Sequence, residues 1–89
     1  MLELFQTTRF KKHLKKYKHK KEILQELANV VDFLVKEHPL PTEYRDHKLA
    51  GNYSGMNELH LRPDDLLIYY KIDGKSVTLV AIGSHSELF

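Results

Sequence analysis

Two hydrophobic periodicities divide the chain near Pro41. Before that residue, apolar positions recur every three to four residues, a spacing that is typical of amphipathic helices. After it, apolar residues come in short runs bounded by glycines, which is typical of strands and tight turns. The pattern therefore predicts an α+β protein whose helices come first and whose sheet is built mainly from the second half.

The N-terminal segment predicts a short strand followed by a first helix. Residues 2–6 alternate well enough for a strand, and Thr7 or Thr8 offers an N-cap for the helix. The apolar side of this helix carries Phe10, Leu14 and Tyr17. Lysines occupy its other faces, so we expect it to be amphipathic.

The second helix has the clearest pattern in the chain. Its apolar stripe comprises Ile23, Leu24, Leu27, Val30, Val31, Leu34 and Val35. We expect the helix to end near Glu37 or His38, because Pro39 disfavours helical geometry in the residue before it.

The second half of the chain predicts strands at residues 56–61, 66–70 and 76–82. The first alternates, so that Met56, Glu58 and His60 share one face, and the second has the apolar run of a buried central strand. Asp73-Gly74 predicts the hairpin turn before the third strand. We expect a single domain over residues 1–89, with the order β-α-α and then three or four antiparallel strands. Two N-terminal helices would pack on a small, mainly antiparallel sheet.

Composition limits the cell compartment and the available chemistry. Apolar residues make up 42% of the 89 positions, which is enough for an ordinary core. The absence of cysteine excludes disulfides and thiolate metal sites and favours an intracellular protein. The sequence predicts neither a signal peptide nor a stretch long enough to cross a bilayer, so we expect no membrane association and a cytoplasmic location.

Positive charge is concentrated near the N-terminus. The net charge is only +2, but eight basic residues and no acid lie between Arg9 and Lys21. Such a block is typical of proteins that bind a polyanion, most often nucleic acid. A solvated helix face that only aids solubility is the alternative interpretation.

Four acid–base side chains fall beside the ends of the predicted strands: His47, His60, Asp64 and His85. One small sheet could therefore gather all four on a single surface. Histidine both donates and accepts protons near neutral pH. Together with the basic block, these residues indicate proton-transfer chemistry on a phosphate substrate.

Three separated segments carry a resemblance to a known family. The segments are Tyr44–Gly51 (YRDHKLAG), His60–Tyr69 (HLRPDDLLIY) and Gly83–Phe89 (GSHSELF). In order, spacing and total length they resemble the YafQ-like toxins of the RelE/ParE superfamily, and the resemblance covers essentially the whole chain.

The resemblance implies a RelE-like fold and the toxin of a type II toxin–antitoxin system. It implies a ribosome-dependent endoribonuclease that cuts mRNA in the A site and is neutralised by a cognate antitoxin. The partners would be mRNA, the ribosome with its RNA, and that antitoxin. The family's functional positions correspond to His47, His60, Asp64, His85 and Phe89.

The expected reaction uses the 2′-hydroxyl of the RNA as nucleophile and needs a base, an acid and a group that stabilises extra phosphate charge. We expect His85 to be the general acid, while His60 and His47 compete for the role of general base. Asp64 either orients one of the histidines or is itself the base. No cofactor and no metal are expected, since no pair of these histidines has a helical i, i+4 ligand spacing, although their side chains are adequate zinc ligands.

Candidate RNA-binding residues come from the basic block and from the motif segments. They are Lys11, Lys12, Lys15, Lys16, Lys48, Arg62 and Phe89. Phe89 could stack on a base, or it could pack the C-terminus onto the sheet.

The chain departs from the family pattern at two positions. Ala81 stands where the family often has an arginine that would hold the scissile phosphate, and Arg62, Lys48 or Arg45 would have to replace it. Asp65 stands where some members have an aromatic residue. The missing arginine keeps two alternatives open, a ParE-like inhibitor without nuclease activity and a plain nucleic-acid-binding module.

Overall fold

The computed structural model describes all 89 residues and confirms the α+β prediction. The strands are β1 (Glu3–Gln6), β2 (His47–Lys48), β3 (Asn57–Arg62), β4 (Asp65–Ile72) and β5 (Ser76–Gly83). The helices are α1 (Thr8–Leu14), α2 (Lys21–Val35) and α3 (His85–Leu88). No helix combines the length and the apolar content that a membrane span requires.

All five strands form one sheet in the order β1-β5-β4-β3-β2. The strand pairs β5–β4, β4–β3 and β3–β2 are antiparallel, whereas β1 joins β5 in parallel after the chain has crossed back through both helices and the other strands. As the sequence predicted, β4 is central. The turn between β3 and β4 falls at Pro63 and Asp64.

The two faces of the sheet are covered unequally. One face packs against α1 and α2 and contains most of the core, with Leu59, Leu67 and Val77 from the strands meeting Phe10 and Val30 from the helices. The opposite face, called the second face below, has a smaller apolar cluster. Its members are Leu66, Ile68, Val80, Ala81 and Leu88. Only α3 and the segment 49–56 cover this cluster, so much of the second face borders solvent.

The first helix takes over the edge of β5 where β1 ends. The backbone N–H of Thr7 donates to the carbonyl of Leu79 at 3.0 Å, and its hydroxyl donates to the carbonyl of Val80 at 2.7 Å. Further along, the N–H of Ile82 donates to Nδ1 of His13 at 3.4 Å. Burial and the neighbouring Arg9 and Lys16 cations lower the pKa of His13, which keeps Nδ1 available as an acceptor. The exposed β5 edge is thus satisfied by side chains of α1.

Two boundaries differ from the sequence predictions. The second helix ends at Val35, two to three residues earlier than expected, and Glu37 then adopts a left-handed conformation with φ of 56°. The C-terminal segment, for which no element was predicted, forms the one-turn helix α3. A reciprocal capping box between Ser84 and Glu87 begins this helix.

Thr7 should contribute to stability twice, because its side chain both caps α1 and bonds to β5. Its Oγ1 accepts from the N–H of Phe10 at 3.0 Å while donating to Val80. We expect Thr7→Ala to lower the free energy of unfolding by about 1–2 kcal/mol, the range for lost N-caps. Urea denaturation provides the measurement. Thr7→Ser should keep most of the stability, and Thr8→Ala is the matched exposed control; equal effects of Thr7→Ala and Thr8→Ala would contradict the assignment.

Candidate active site

Strand register brings functional side chains from distant segments into rows across the second face. His47 pairs with Glu58, Glu58 with Ile68, and Ile68 with Ala81, so these four residues form one row over four strands. Directly paired residues point to the same face of a sheet. His60 lies two residues after Glu58 on β3 and therefore shares its face, as the sequence alternation predicted.

A buried carboxylate lies between two imidazoles in this row. Oε1 of Glu58 is 3.3 Å from Nε2 of His47 and 3.7 Å from Nε2 of His60. The ring centroids of the two histidines are 6.3 Å apart. The Glu58 side chain is only 7% exposed, whereas that of His47 is 49% exposed. The cluster therefore reaches solvent through its histidines and not through the carboxylate.

Backbone carbonyls determine which ring nitrogens carry protons. Nδ1 of His47 lies 2.7 Å from the carbonyl oxygen of Arg45, and Nδ1 of His60 lies 3.2 Å from that of Pro63. Because a carbonyl can only accept, each Nδ1 is assigned as the donor. The Nε2 atom of each neutral ring is then unprotonated and faces the same carboxylate oxygen. A bond from either Nε2 to Glu58 requires one additional proton, so the three groups form a proton-accepting unit.

Glu58 was not among the catalytic candidates from the sequence. Its second oxygen, Oε2, is buried and has no hydrogen-bond partner, a rare and costly arrangement for a native side chain. The sequence did place Glu58 on the same strand face as His60. A charged residue on a strand face that ends in a histidine was the available signal, but the paired His47 comes from a separate segment.

The second pair of predicted residues, Asp64 and His85, meets at the start of α3. Oδ1 of Asp64 accepts a hydrogen bond from the backbone N–H of His85 at 3.3 Å. The carboxylate therefore contacts the backbone and not the imidazole. The imidazole of His85 is stacked on Phe89 with the ring centroids 5.0 Å apart. Asp64 holds the helix turn that carries His85, which is the orienting alternative of the two considered from the sequence.

Tyr53, which the sequence analysis did not single out, secures α3 from the side of segment 49–56. Its hydroxyl donates to the carbonyl of Leu88 at 3.0 Å, and its ring makes an edge contact with Phe89 at 5.3 Å between centroids. The guanidinium of Arg9 lies 5.6 Å from the centre of the Tyr53 ring. Tyr53 thus joins the loop that follows His47 to the helix that carries His85.

The α3 turn also has an ionic contact with the basic region. The carboxylate of Glu87 accepts from the backbone of Ser84 at 2.8 Å and lies 3.4 Å from the ammonium of Lys16. The hydrogen bonds from Ser84, and then the contact with Lys16, lower the pKa of Glu87. Because the Lys16–Glu87 pair is exposed, it orients α3 without adding much stability.

The candidate RNA-binding cations occupy different surroundings. Lys11, Lys12 and Lys15 are exposed. Arg62 is 2.9 Å from Glu22 of α2. Lys48 follows His47 on β2, so its side chain points to the face opposite that of His47. Ala81 is fully buried in the apolar cluster and leaves its row without a cation.

The two groups of acid–base residues lie at opposite sides of the second face. His60 is in register with Leu66, and Leu66 with Gly83, so β3 and β5 are two strand spacings apart at this end. That separation is about 10 Å. The His47–Glu58–His60 cluster therefore stands at one side and α3, with His85 and Phe89, at the other. No set of three or more His, Cys, Asp or Glu side chains is arranged to hold a metal ion.

Solved structures show the same architecture. A metal-bound toxin from Helicobacter pylori is 40% identical, with a TM-score of 0.90, and the match covers 100% of both chains. The E. coli DinJ-YafQ complex contains a chain that is 28% identical, with a TM-score of 0.88, and the match covers 100% of this chain and 99% of that one. These similarities confirm the RelE-like fold that the sequence predicted.

Sequence comparison agrees with the structural one. The mRNA interferase toxin YafQ of Escherichia coli K12 is 41% identical over 51 residues, which are 57% of this chain and 54% of that protein. The match thus spans about half the length of the curated relative. The model of one family, the bacterial toxin YafQ of type II toxin–antitoxin systems, matches residues 2–89. This chain therefore belongs to the YafQ family of bacterial toxins of type II toxin–antitoxin systems.

Proposed function

We propose that the chain is an endoribonuclease toxin that cleaves mRNA in the ribosomal A site. The observation that carries this proposal is the pair of proton-transfer sites on one sheet face. The His47–Glu58–His60 cluster lies on one side and His85 on the other, with room for a phosphate between them. A ParE-like inhibitor or a plain binding module would have no use for this arrangement.

The base side of the reaction is the histidine–carboxylate cluster. The unprotonated Nε2 of His47 or His60 removes the proton of the RNA 2′-hydroxyl, and the oxygen attacks the adjacent phosphorus. The negative charge of Glu58, within 3.3 Å and 3.7 Å of the two rings, stabilises the imidazolium that forms. Because the three groups interact closely, the proton belongs to the cluster as a unit.

The acid side is the first turn of α3. His85 protonates the departing 5′ oxygen as the bond from phosphorus to that oxygen breaks, which leaves a 2′,3′-cyclic phosphate and a 5′-hydroxyl. Asp64 and Tyr53 are positioning residues, since they hold the backbone of α3. Phe89 is half-exposed and lies against His85, so its ring offers a stacking surface for a base at this side.

The proposed chemistry needs no metal ion, because side chains of this chain fill both proton-transfer roles. Arg45 and the RNA-facing cations, in place of the arginine absent at Ala81, would compensate the extra phosphate charge. The metal-bound structure of the H. pylori toxin makes the metal requirement a necessary measurement. Cleavage in the presence of EDTA is therefore part of the first test below.

Two macromolecular partners follow from the same proposal. Exposed Lys11, Lys12 and Lys15 on α1 and the turn after it would contact ribosomal RNA phosphates, which fix position without reading sequence. A cognate antitoxin would neutralise the toxin by covering the second face. Support for this partner comes from the family of the chain and from the E. coli DinJ-YafQ complex.

Replacing His85 with alanine should abolish most cleavage, because the leaving oxygen loses its proton donor. We expect kcat to fall by about 10²–10⁴-fold, the usual contribution of a general acid. Primer extension on mRNA translated in vitro, with EDTA-treated toxin, gives the rate and the cut position. His38→Ala, an exposed histidine outside the second face, is the control. Undiminished cleavage by the His85 variant would remove this residue from the mechanism.

Glu58→Gln should separate catalysis from folding. Glutamine keeps the size of the side chain but cannot stabilise an imidazolium, so we expect kcat to fall by about 10²-fold. Thermal stability should be equal or higher, since a buried charge with one unpaired oxygen is removed. Cleavage kinetics and thermal unfolding of the same sample are the measurements, with Glu3→Gln on β1 as control. A variant with parental kcat would show that Glu58 has no catalytic part.

The exposed lysines should determine the salt dependence of ribosome binding. Substituting Lys11, Lys12 and Lys15 together with alanine should reduce the slope of log K against log salt by about 2, at roughly 0.7–0.9 per phosphate contact. Binding to ribosomes at several KCl concentrations measures this slope. Lys36, Lys71 and Lys75 replaced together form the control of equal charge. The same slope in both triple variants would assign the N-terminal block to solubility only.

A further inference from the structure

A polar cavity of about 320 Å³ opens beside the histidine–carboxylate cluster. It lies between α2, the turn at Thr42–Tyr44 and the C-terminal end of β3. The buried side chains of Tyr44 and Leu61 form its floor, and exposed Glu43 and Arg45 stand at its rim. Its volume is at the lower end of the range for small-ligand sites.

The walls of this cavity also orient the cluster. Arg45 and Pro63 line the cavity, and their carbonyl oxygens accept the Nδ1–H of His47 and His60 at 2.7 Å and 3.2 Å. His60 itself is a lining residue. A ligand in the cavity would therefore touch the residues that fix both imidazoles. Occupancy and catalysis are physically connected at this point.

The backbone of Arg45 supports a functional assignment. Its φ of 52° and ψ of 40° place it in the left-handed region, which a non-glycine residue seldom occupies. Such conformations concentrate at ligand sites and active sites. Here the conformation directs the carbonyl of Arg45 to His47 while its side chain remains at the cavity rim.

The polar lining offers both hydrogen-bond acceptors and a donor fork. Tyr44 donates to Oε1 of Glu26 at 3.0 Å, and burial together with this bond raises the pKa of Tyr44 to about 12. The weaker contact from Asn29 also falls on Oε1, so Oε2 of Glu26 remains an acceptor. Arg62 is turned to Glu22, which leaves the guanidinium of Arg45 as the donor at the rim.

This combination matches one nucleobase better than the others. Guanine has two adjacent N–H donors on its Watson–Crick edge, which a carboxylate can accept together. It also has the O6 and N7 acceptors to which arginine binds in a bidentate manner. Single-stranded RNA exposes both edges to protein side chains. The Tyr44 ring and the Pro63 ring provide apolar surface for the base itself.

We propose that this cavity binds a guanine base of the mRNA adjacent to the scissile phosphate, with Glu43 and Arg45 as the specificity-determining residues. The inference rests on the proposed function, since it places the guanine beside the phosphate that the cluster attacks. Because the same walls hold His47 and His60, a correct base increases kcat and not only binding.

Cleavage of matched mRNAs tests the proposal. The messages carry one cut site and differ only in the base on its 5′ or 3′ side, with guanine replaced by adenine, inosine, cytosine or uracil. We expect one of the two positions to favour guanine over adenine by roughly 10-fold or more in kcat, as for other bidentate base contacts. Inosine, which lacks the exocyclic amine, should fall between them.

Two variants and one control assign the preference to the cavity. Glu43→Gln removes the carboxylate, and Arg45→Asn removes the guanidinium while keeping a residue that tolerates the left-handed conformation. Each variant should cut the adenine message at close to the parental rate and lose the preference for guanine. Glu3→Gln on β1 should preserve the preference. Equal rates for all bases in the parent, or parental preference in both variants, would overturn the inference.

A binding measurement separates this inference from the proposed function. A short RNA with a 2′-deoxy sugar at the cut site cannot react through its 2′-oxygen, and its affinity for the isolated chain is read by fluorescence anisotropy. Tighter binding of the guanine oligonucleotide, lost in both variants, supports the base site even if no message is cut. Equal binding of guanine and adenine oligonucleotides, unchanged by the substitutions, contradicts the base site even if cleavage occurs.

Discussion

The register of β2, β3, β4 and β5 is the constraint on which the site depends. Since side chains alternate between faces, a slip of one residue in β3 would turn Glu58 and His60 towards the helices and bring Leu59 and Leu61 to solvent. The buried apolar residues on both faces of β4 prevent such a slip. The core that stabilises the fold therefore also holds the proton-transfer groups on one surface.

The acid side of the site depends on contacts from several parts of the chain. The α3 turn has only four residues, too few to be stable alone. Asp64 from the β3–β4 turn, Tyr53 from the segment before β3, and Lys16 after α1 each contact it. The position of His85 is thus set by tertiary packing, and its precision depends on the folded state as a whole.

The base side combines burial with unsatisfied hydrogen-bonding capacity. Oε2 of Glu58 is inaccessible and unpaired, and Oε1 faces two rings whose Nδ1 protons are already committed to carbonyls. Replacing this group with an apolar residue would remove a desolvation cost. Retention of a charge at such a position is best explained by its use in moving a proton. The same carbonyls line the proposed guanine site, which places recognition next to chemistry.

The sequence alone determined the element order, the central position of β4, the shared face of Glu58 and His60, and the family. These follow from local periodicity and from motifs whose residues are close in the chain. Only the tertiary structure decided that Glu58 joins His47 and His60, that Asp64 holds the backbone of His85, and that α3 forms at all. Each of these depends on pairing between segments far apart in sequence, and the alternation of a strand does not specify which strand lies beside it.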